Sequence, residues 1–136
     1  MDASTPSDDV LRELVAAARA VRANAYAPAS RFQVGAALLA PDGRIFVGCN
    51  VENASYGLTI CAERAAVCAG VAAGVRAFAA VAIATDLPDP ARPCGACRQV
   101  LAEFGAAMHV VLVGAGDARV ATTLDVLLPQ PFTFGS

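Results

Sequence analysis

The chain has 136 residues, 57% of them apolar and 16% charged, with ten basic against twelve acidic side chains and a net charge of −2. That length suits one packed domain, and that composition excludes a disordered chain. The basic residues are all Arg, spread thinly from Arg12 to Arg119 without a run or stripe, which disfavours a polynucleotide partner because binding its backbone needs clustered phosphate contacts.

Met1 to Pro6 reads as a frayed end. It is polar and acidic with no apolar signal segment, so a cytoplasmic protein is expected. Ser7-Asp8-Asp9 then offers an N-cap and first-turn acids to a helix whose apolar residues run Val10, Leu11, Leu14, Val15, Ala18 and Val21. Tyr26 to Ser30 ends that helix. Phe32 to Leu39 is predicted as a strand, Pro41-Asp42-Gly43 as a tight turn, and Ile45 to Cys49 as the hairpin partner. Asn50 to Thr59 reads as a polar loop leading into a helix from about Cys61 to Ala73.

Ala65 to Ala84 is apolar apart from Arg76 and is long enough to span a bilayer. A charge near its centre costs at least ~2.5–3.5 kcal/mol there, and alanine and glycine offset little of it. Helix, turn and buried strand is therefore the predicted order, with the strand over Phe78 to Thr85. A Pro- and Asp-rich loop, Asp86 to Arg92, leads through Pro93 to a helix over Gly95 to Phe104. Met108 to Val113 is the next strand, Arg119 to Thr122 an edge strand, and Leu124 to Leu128 a short last helix. The order α-β-β-α-β-α-β-β-α describes a single α/β domain over residues 1–136, with a mixed sheet, hairpin first, and helices on its faces. Much of the apolar content is alanine, so part of a charge-poor surface is expected to be covered by other subunits.

Five cysteines in a chain without a leader point to reduced thiols or metal ligands. Three of them open predicted helices, in Cys61-Ala62-Glu63 and in Pro93-Cys94-Gly95-Ala96-Cys97. The unpaired N–H groups of a helix N-terminus stabilise a thiolate there, and two cysteines spaced C-x-x-C bring both sulfurs within reach of one zinc. Cys68 lies two turns beyond Cys61, roughly 10.5 Å along the helix axis, too far to share the ion. Cys49 stays open as a fourth ligand, and His109 reads as a structural histidine. Three sulfurs would leave one position for water, the mark of a catalytic rather than a structural site. Glu63, two residues past a ligand, can lean over that position and carry protons; in isolation it reads as a first-turn acid complementing the helix dipole. Three thiolates on Zn²⁺ leave a net −1, so a nearby cation is needed. Arg64 is placed to donate to the sulfurs, and Arg98 is a weaker candidate whose alternative is a surface ion pair.

Four segments carry a resemblance to a known family: Tyr26-Ala-Pro-Ala-Ser-Arg-Phe-Gln-Val-Gly-Ala-Ala-Leu-Leu39, Gly48-Cys-Asn-Val-Glu-Asn-Ala-Ser-Tyr-Gly57, Cys61-Ala-Glu-Arg64 and Pro93-Cys-Gly-Ala-Cys-Arg-Gln99. They resemble the small homotetrameric zinc-dependent cytidine deaminases, and the likeness extends to Leu-Leu-Pro-Gln-Pro-Phe132. C-x-E with P-C-x-x-C marks zinc deaminases at large, while the Asn-Val-Glu-Asn-Ala segment marks the nucleoside branch.

The resemblance implies a three-layer cytidine-deaminase-like α/β fold with a mixed central sheet of about five strands covered by helices. It also implies hydrolytic deamination of cytidine and 2′-deoxycytidine to uridine and 2′-deoxyuridine plus ammonia, a pyrimidine salvage reaction. By the same likeness Cys61, Cys94 and Cys97 would hold one Zn²⁺ per subunit and Glu63 would shuttle protons. Asn50 and Glu52 would bind ribose hydroxyls, Phe32 would pack on the pyrimidine or sugar, and Ala54 and Tyr56 would line the site. Phe132 would reach a neighbouring subunit of a homotetramer with sites at its interfaces. For Phe32, core packing is an equal alternative. The family usually carries Tyr at position 29, here Ala, and many relatives carry an acidic helical extension beyond the position of Phe132.

Deaminases of nucleoside antibiotics of the blasticidin S type share the zinc signature, as do polynucleotide editors. The intact ribose-binding segment and the absence of a basic channel favour ordinary nucleosides. A zinc-stapled structural module, with a fourth protein ligand and no use for Glu63, is the reading from a different class.

Overall fold

The computed structural model describes residues 5–134. Of the frayed end expected over Met1 to Pro6, the first four residues therefore lie outside the described part. The chain runs α1 (Asp8–Arg22), β1 (Gly35–Leu39), β2 (Ile45–Cys49), a 3-10 turn (Tyr56–Leu58), α2 (Ala62–Ala72), β3 (Ala80–Ala84), α3 (Gly95–Phe104), β4 (His109–Val113), β5 (Arg119–Thr123) and α4 (Leu124–Leu127). The strands form one sheet in the order β2-β1-β3-β4-β5, with only the β3–β4 pair parallel. This is the mixed five-stranded α/β sheet the sequence predicts.

Alternation along the strands sorts the core into two layers. Ala36, Leu38, Val81, Ile83, Val110 and Leu112 face α2, α3 and α4, meeting Ala62, Ala66, Leu101 and Leu124. Ala37, Leu39, Ala80, Ala82, Ala84, Val111 and Val113 face the opposite way onto Leu14, Val15 and Ala18 of α1. The two central strands, β1 and β3, are buried along their whole length, which is why they read as continuous apolar runs. The small side chains under α1 let it lie almost on the sheet: a Cβ on Gly35 would fall on the carbonyl oxygen of Ala18.

Ser7 caps α1, its hydroxyl accepting from the Val10 N–H at 3.2 Å, with Asp8 and Asp9 in the first turn. The apolar stretch over 65–84 is divided as expected. The α2 helix stops at Ala72, and Arg76 donates to the carbonyls of Val71 and Val75 at its end. No helix among the described residues is long and apolar enough to cross a membrane.

Most element ends differ from the sequence reading by one or two residues, as where β3 begins at Ala80 and not at Phe78, and the largest difference is at the first strand. The first strand begins at Gly35, not at Phe32. Over 32–34 a side chain replaces the ladder partner: Asn50 accepts from the Val34 N–H at 2.8 Å and donates to the Phe32 carbonyl at 2.8 Å. An amide that bridges two backbone groups mimics a strand pair but leaves the segment bent. The bend lies beside the carboxyl ends of β2 and β3, where ligand crevices of α/β sheets form.

Candidate active site

Two helices on the same face of the sheet bring the cysteines together. Cys61 is the N-cap of α2 and Cys94 the N-cap of α3, with Cys97 in the first turn of α3. Neither cap side chain makes a capping hydrogen bond, so both sulfurs are free to turn outward. The three Sγ atoms lie within 4.8 Å of one another, and among the described residues Cys61, Cys94 and Cys97 form the one group of this kind. Zinc–sulfur bonds of ~2.3 Å in a tetrahedron set the sulfurs about 3.8 Å apart, so the donor set fits that ion.

The thiols themselves call for a cation. Cys94 Sγ and Cys97 Sγ are 3.3 Å apart. Burial pushes the Cys94 thiol up, but hydrogen bonds from the Cys97 backbone and from the Cys97 and Cys61 side chains bring it below the usual thiol range. Burial and then the Glu63 charge drive Cys97 well above that range. One low and one high value describes two acids sharing a proton, and a divalent ion removes the conflict by taking both as thiolates. Cys49, Cys68 and His109 are not in the group, so the fourth ligand left open for Cys49 is not supplied. Three sulfurs leave a corner for water.

Glu63 is 5% exposed. Burial raises its carboxyl above the ordinary carboxylate range, opposed by hydrogen bonds from its own backbone and Cys97 and by the Arg64 charge. A carboxyl so placed holds a proton more readily than an exposed one. Arg64 Nη2 donates to Cys61 Sγ at 3.3 Å, and the charges of Cys61 and Cys97 add to its attraction. Its Nε is buried with no partner among the described residues, so charge rather than a complete hydrogen-bond set holds the guanidinium there.

A cavity of about 240 Å³ opens beside the sulfurs, and Phe32, Asn50, Glu52, Cys61, Glu63 and Cys94 all line it. This volume is the size of a small-molecule site. Phe32 is half-buried on the bent segment rather than sealed in the core. Glu52 is nearly buried, and both its oxygens are engaged. Oε1 accepts from the N–H groups of Ala29 (2.8 Å) and Ser30 (3.1 Å), and Oε2 accepts from the Ser30 hydroxyl.

The structure separates the remaining site residues from this cavity. Ala54 and Tyr56 line a second, shallow recess with Tyr26, Pro28 and Ala29, which shares Glu52 with the first. Phe132 stands 74% exposed near Phe134 at the far end of α3. There the side chain of Gln99 clasps its backbone, accepting from the Phe132 N–H at 3.0 Å and donating to its carbonyl at 2.9 Å. Arg98 is neither at the sulfurs nor in a surface ion pair. It donates to the carbonyls of Pro93 and Leu127 at 2.9 Å, tying the loop before α3 to α4, because carbonyls at element ends lack ladder partners. Ser30, Thr85 and Arg92 also line the cavity and were not singled out by sequence reasoning. Of these, only Ser30, two residues before Phe32 in a turn segment, carried a usable signal.

Residues 9–113 match the family described as the cytidine and deoxycytidylate deaminase zinc-binding region. The chain is 48% identical over 124 residues to a cytidine deaminase of Sporosarcina psychrophila, covering 90% of this chain and 91% of that one. It is 49% identical over 122 residues to a cytidine deaminase of Halalkalibacterium halodurans, covering 88% and 92%. Among solved structures it is similar to cytidine deaminase from Burkholderia pseudomallei, with a TM-score of 0.86, 50% identity and coverage of 89% and 98%. It is also similar to cytidine deaminase from Mycobacterium tuberculosis, with a TM-score of 0.80, 42% identity and coverage of 95% and 100%.

Proposed function

The chain belongs to the cytidine and deoxycytidylate deaminase family, and on that premise we propose that it removes the amino group of cytidine and 2′-deoxycytidine by hydrolysis, releasing uridine or 2′-deoxyuridine and ammonia. The observation that carries this reading is a buried carboxyl, Glu63, beside three clustered sulfurs in a cavity that also holds an aromatic ring, an amide and a second carboxylate.

Cys61, Cys94 and Cys97 hold the zinc. When bound, zinc supplies the Lewis acidity that makes water a nucleophile near neutral pH. Glu63 takes the proton that the attacking water loses and delivers it to N3 of the pyrimidine. It then carries the remaining proton of that water, from the new C4 hydroxyl, to the amino nitrogen, which departs as ammonia as the C4–N bond breaks and the C4 carbonyl forms. Arg64 offsets the surplus negative charge of three thiolates through its contact with Cys61.

Asn50 has one amide N–H left after its bond to the Phe32 carbonyl, and Glu52 Oε2 has a lone pair left beyond Ser30. Together they suit a pair of ribose hydroxyls. Phe32 supplies a flat apolar wall for the pyrimidine or the sugar.

We read the assembly as a homotetramer whose neighbours complete the site, and the compartment as the cytoplasm. Tyr56, Leu58, Val126, Phe132 and Phe134 are large apolar side chains each more than 60% exposed, more than a lone subunit ordinarily leaves to water. Ala54, Tyr56 and Phe132 do not line the chain's own cavity, and in this reading they meet a neighbouring subunit. All five thiols are free, which suits a reducing compartment.

The test is ammonia release from a panel of cytosine nucleosides and nucleotides, with zinc content measured alongside and Glu63→Ala as control. Expected are turnover of the nucleosides, full zinc occupancy in both proteins and near-complete loss of rate in the variant. A Glu63→Ala enzyme keeping a tenth of the wild-type rate would refute the proton-carrying role.

A further inference from the structure

Ser30 sits at the junction of everything that shapes the sugar end of the cavity. Its hydroxyl donates to Glu52 Oε2 and accepts from the Phe32 N–H at 3.0 Å. The intervening residue, Arg31, has φ of +60°, a left-handed conformation that a bulky side chain seldom adopts. That turn is held by the Arg31 N–H donating to the Ala27 carbonyl at 2.9 Å. Strain of this sort persists only where the surroundings over-determine it, and here the bonds around Ser30 do so.

The two oxygens of Glu52 are bound unequally. Oε1 is saturated by two backbone N–H groups, which any residue at position 30 would still supply. Among the described residues Oε2 has a single partner, the Ser30 hydroxyl, and is the oxygen with capacity to accept from a ligand. That hydroxyl is also the largest influence holding the Glu52 carboxyl below the ordinary range; burial opposes it, and the Ala29 and Ser30 N–H groups assist.

We propose that Ser30 is a positioning residue for sugar recognition, its hydroxyl fixing the rotation of the Glu52 carboxylate so that Oε2 meets a ribose hydroxyl. The inference rests on the reading of the cavity as a cytosine nucleoside site. Ser30 touches neither zinc nor the pyrimidine in this account. It acts through Glu52, so its effect belongs to the sugar and not to the deamination step.

The experiment compares zinc-loaded, full-length wild type, Ser30→Ala and Ser30→Thr on cytidine and on 2′,3′-dideoxycytidine, which lacks the 2′ and 3′ hydroxyls. For cytidine, whose 2′ and 3′ hydroxyls are the groups the dideoxy compound is missing, Ser30→Ala is expected to raise KM about tenfold with kcat within about twofold of wild type, as loss of one charge-assisted hydrogen bond allows. For dideoxycytidine the same variant should shift KM by less than about twofold, and Ser30→Thr should restore cytidine KM. If Ser30→Ala does not fold, Ser30→Cys, a near-isostere with a weak donor, takes its place with the same expected pattern. An equal loss on both nucleosides would overturn the proposal, since the hydroxyl would then act through Phe32 or through general stability. A fall in kcat at constant KM, or no change on cytidine, would also overturn it. A wild type inactive on cytidine overturns the nucleoside reading, and this proposal with it.

Discussion

Arg64 Nη2 lies 3.3 Å from Cys61 Sγ, three residues back along the chain. A cap residue and the first turn of one helix would thus supply a metal ligand and the cation that balances it. Glu63 lies between them in sequence and points into the cavity. Four successive positions at one helix start, 61–64, would therefore set the proposed ligand, proton carrier and counter-charge together.

Replacing Arg64 with Ala removes the only Arg bonded, among the described residues, to a sulfur of the proposed zinc site. Zinc affinity should fall about 10–100-fold, as it does when groups that orient metal ligands are lost. A chelator competition titration measures this. An Arg64→Ala protein that holds zinc as tightly as wild type would show that the helix N-termini suffice.

Loss of the metal should be felt in stability as well as rate. The ligands come from two helices separated by β3, and an ion that binds the folded chain alone stabilises it by about 4 kcal/mol when present at 1,000 times its dissociation constant. Chelated wild type and Cys97→Ala should both melt well below the zinc form and release no ammonia. Thermal melts with paired metal analysis decide the point; equal melting temperatures with and without zinc would count against it.

Gly48→Ala probes the seat of the catalytic helix. A Cβ at Gly48 would press on Ala66 N and come within 2.6 Å of the Ala62 carbonyl oxygen, both backbone atoms of α2. Backbone cannot step aside as a flexible side chain can, so the variant should lose about 1–3 kcal/mol in chemical denaturation. Because α2 carries Glu63, kcat/KM should fall further than stability alone requires. Unchanged kinetics in a destabilised variant would separate the seat from the site.

Acid should dissolve the Glu52 clamp. The Ser30 hydroxyl is the foremost influence keeping this carboxyl below its ordinary value of 4.5. The folded state therefore favours the ionised form. Its stabilisation is complete above the ordinary value and is lost as pH falls through the lower folded one. The gap in melting temperature between wild type and Glu52→Gln should be constant near neutrality and narrow below about pH 4.5. A gap that widens on acidification would reverse the sign.

The sheet and helices were legible because their signals are local. Ser7 with Asp8 and Asp9 marks one helix start, and continuous apolar runs mark the buried strands β3 and β4. The sulfur cluster was legible for the same reason, since each ligand sits at a helix start written in a few residues. The strand boundary at Phe32 was not, because what bends it is Asn50, eighteen positions on and itself expected to face the sugar. Arg98 misled for a related cause: an exposed-looking Arg on a short helix reveals nothing of the Leu127 carbonyl it binds. Ser30 escaped notice because a hydroxyl in a turn is common, and only the fold brings Glu52 to it.

The clasp between Gln99 and the backbone of Phe132 has a consequence for how subunits meet. A free C-terminal segment would surrender conformational entropy each time its ring docked on another copy. Held at both N–H and carbonyl by a side chain on α3, the segment presents that ring already ordered, as a stiff spur of the helix that also bears Cys97. In the proposed homotetramer, association through it would forgo that penalty, so a change at Gln99 would loosen the assembly.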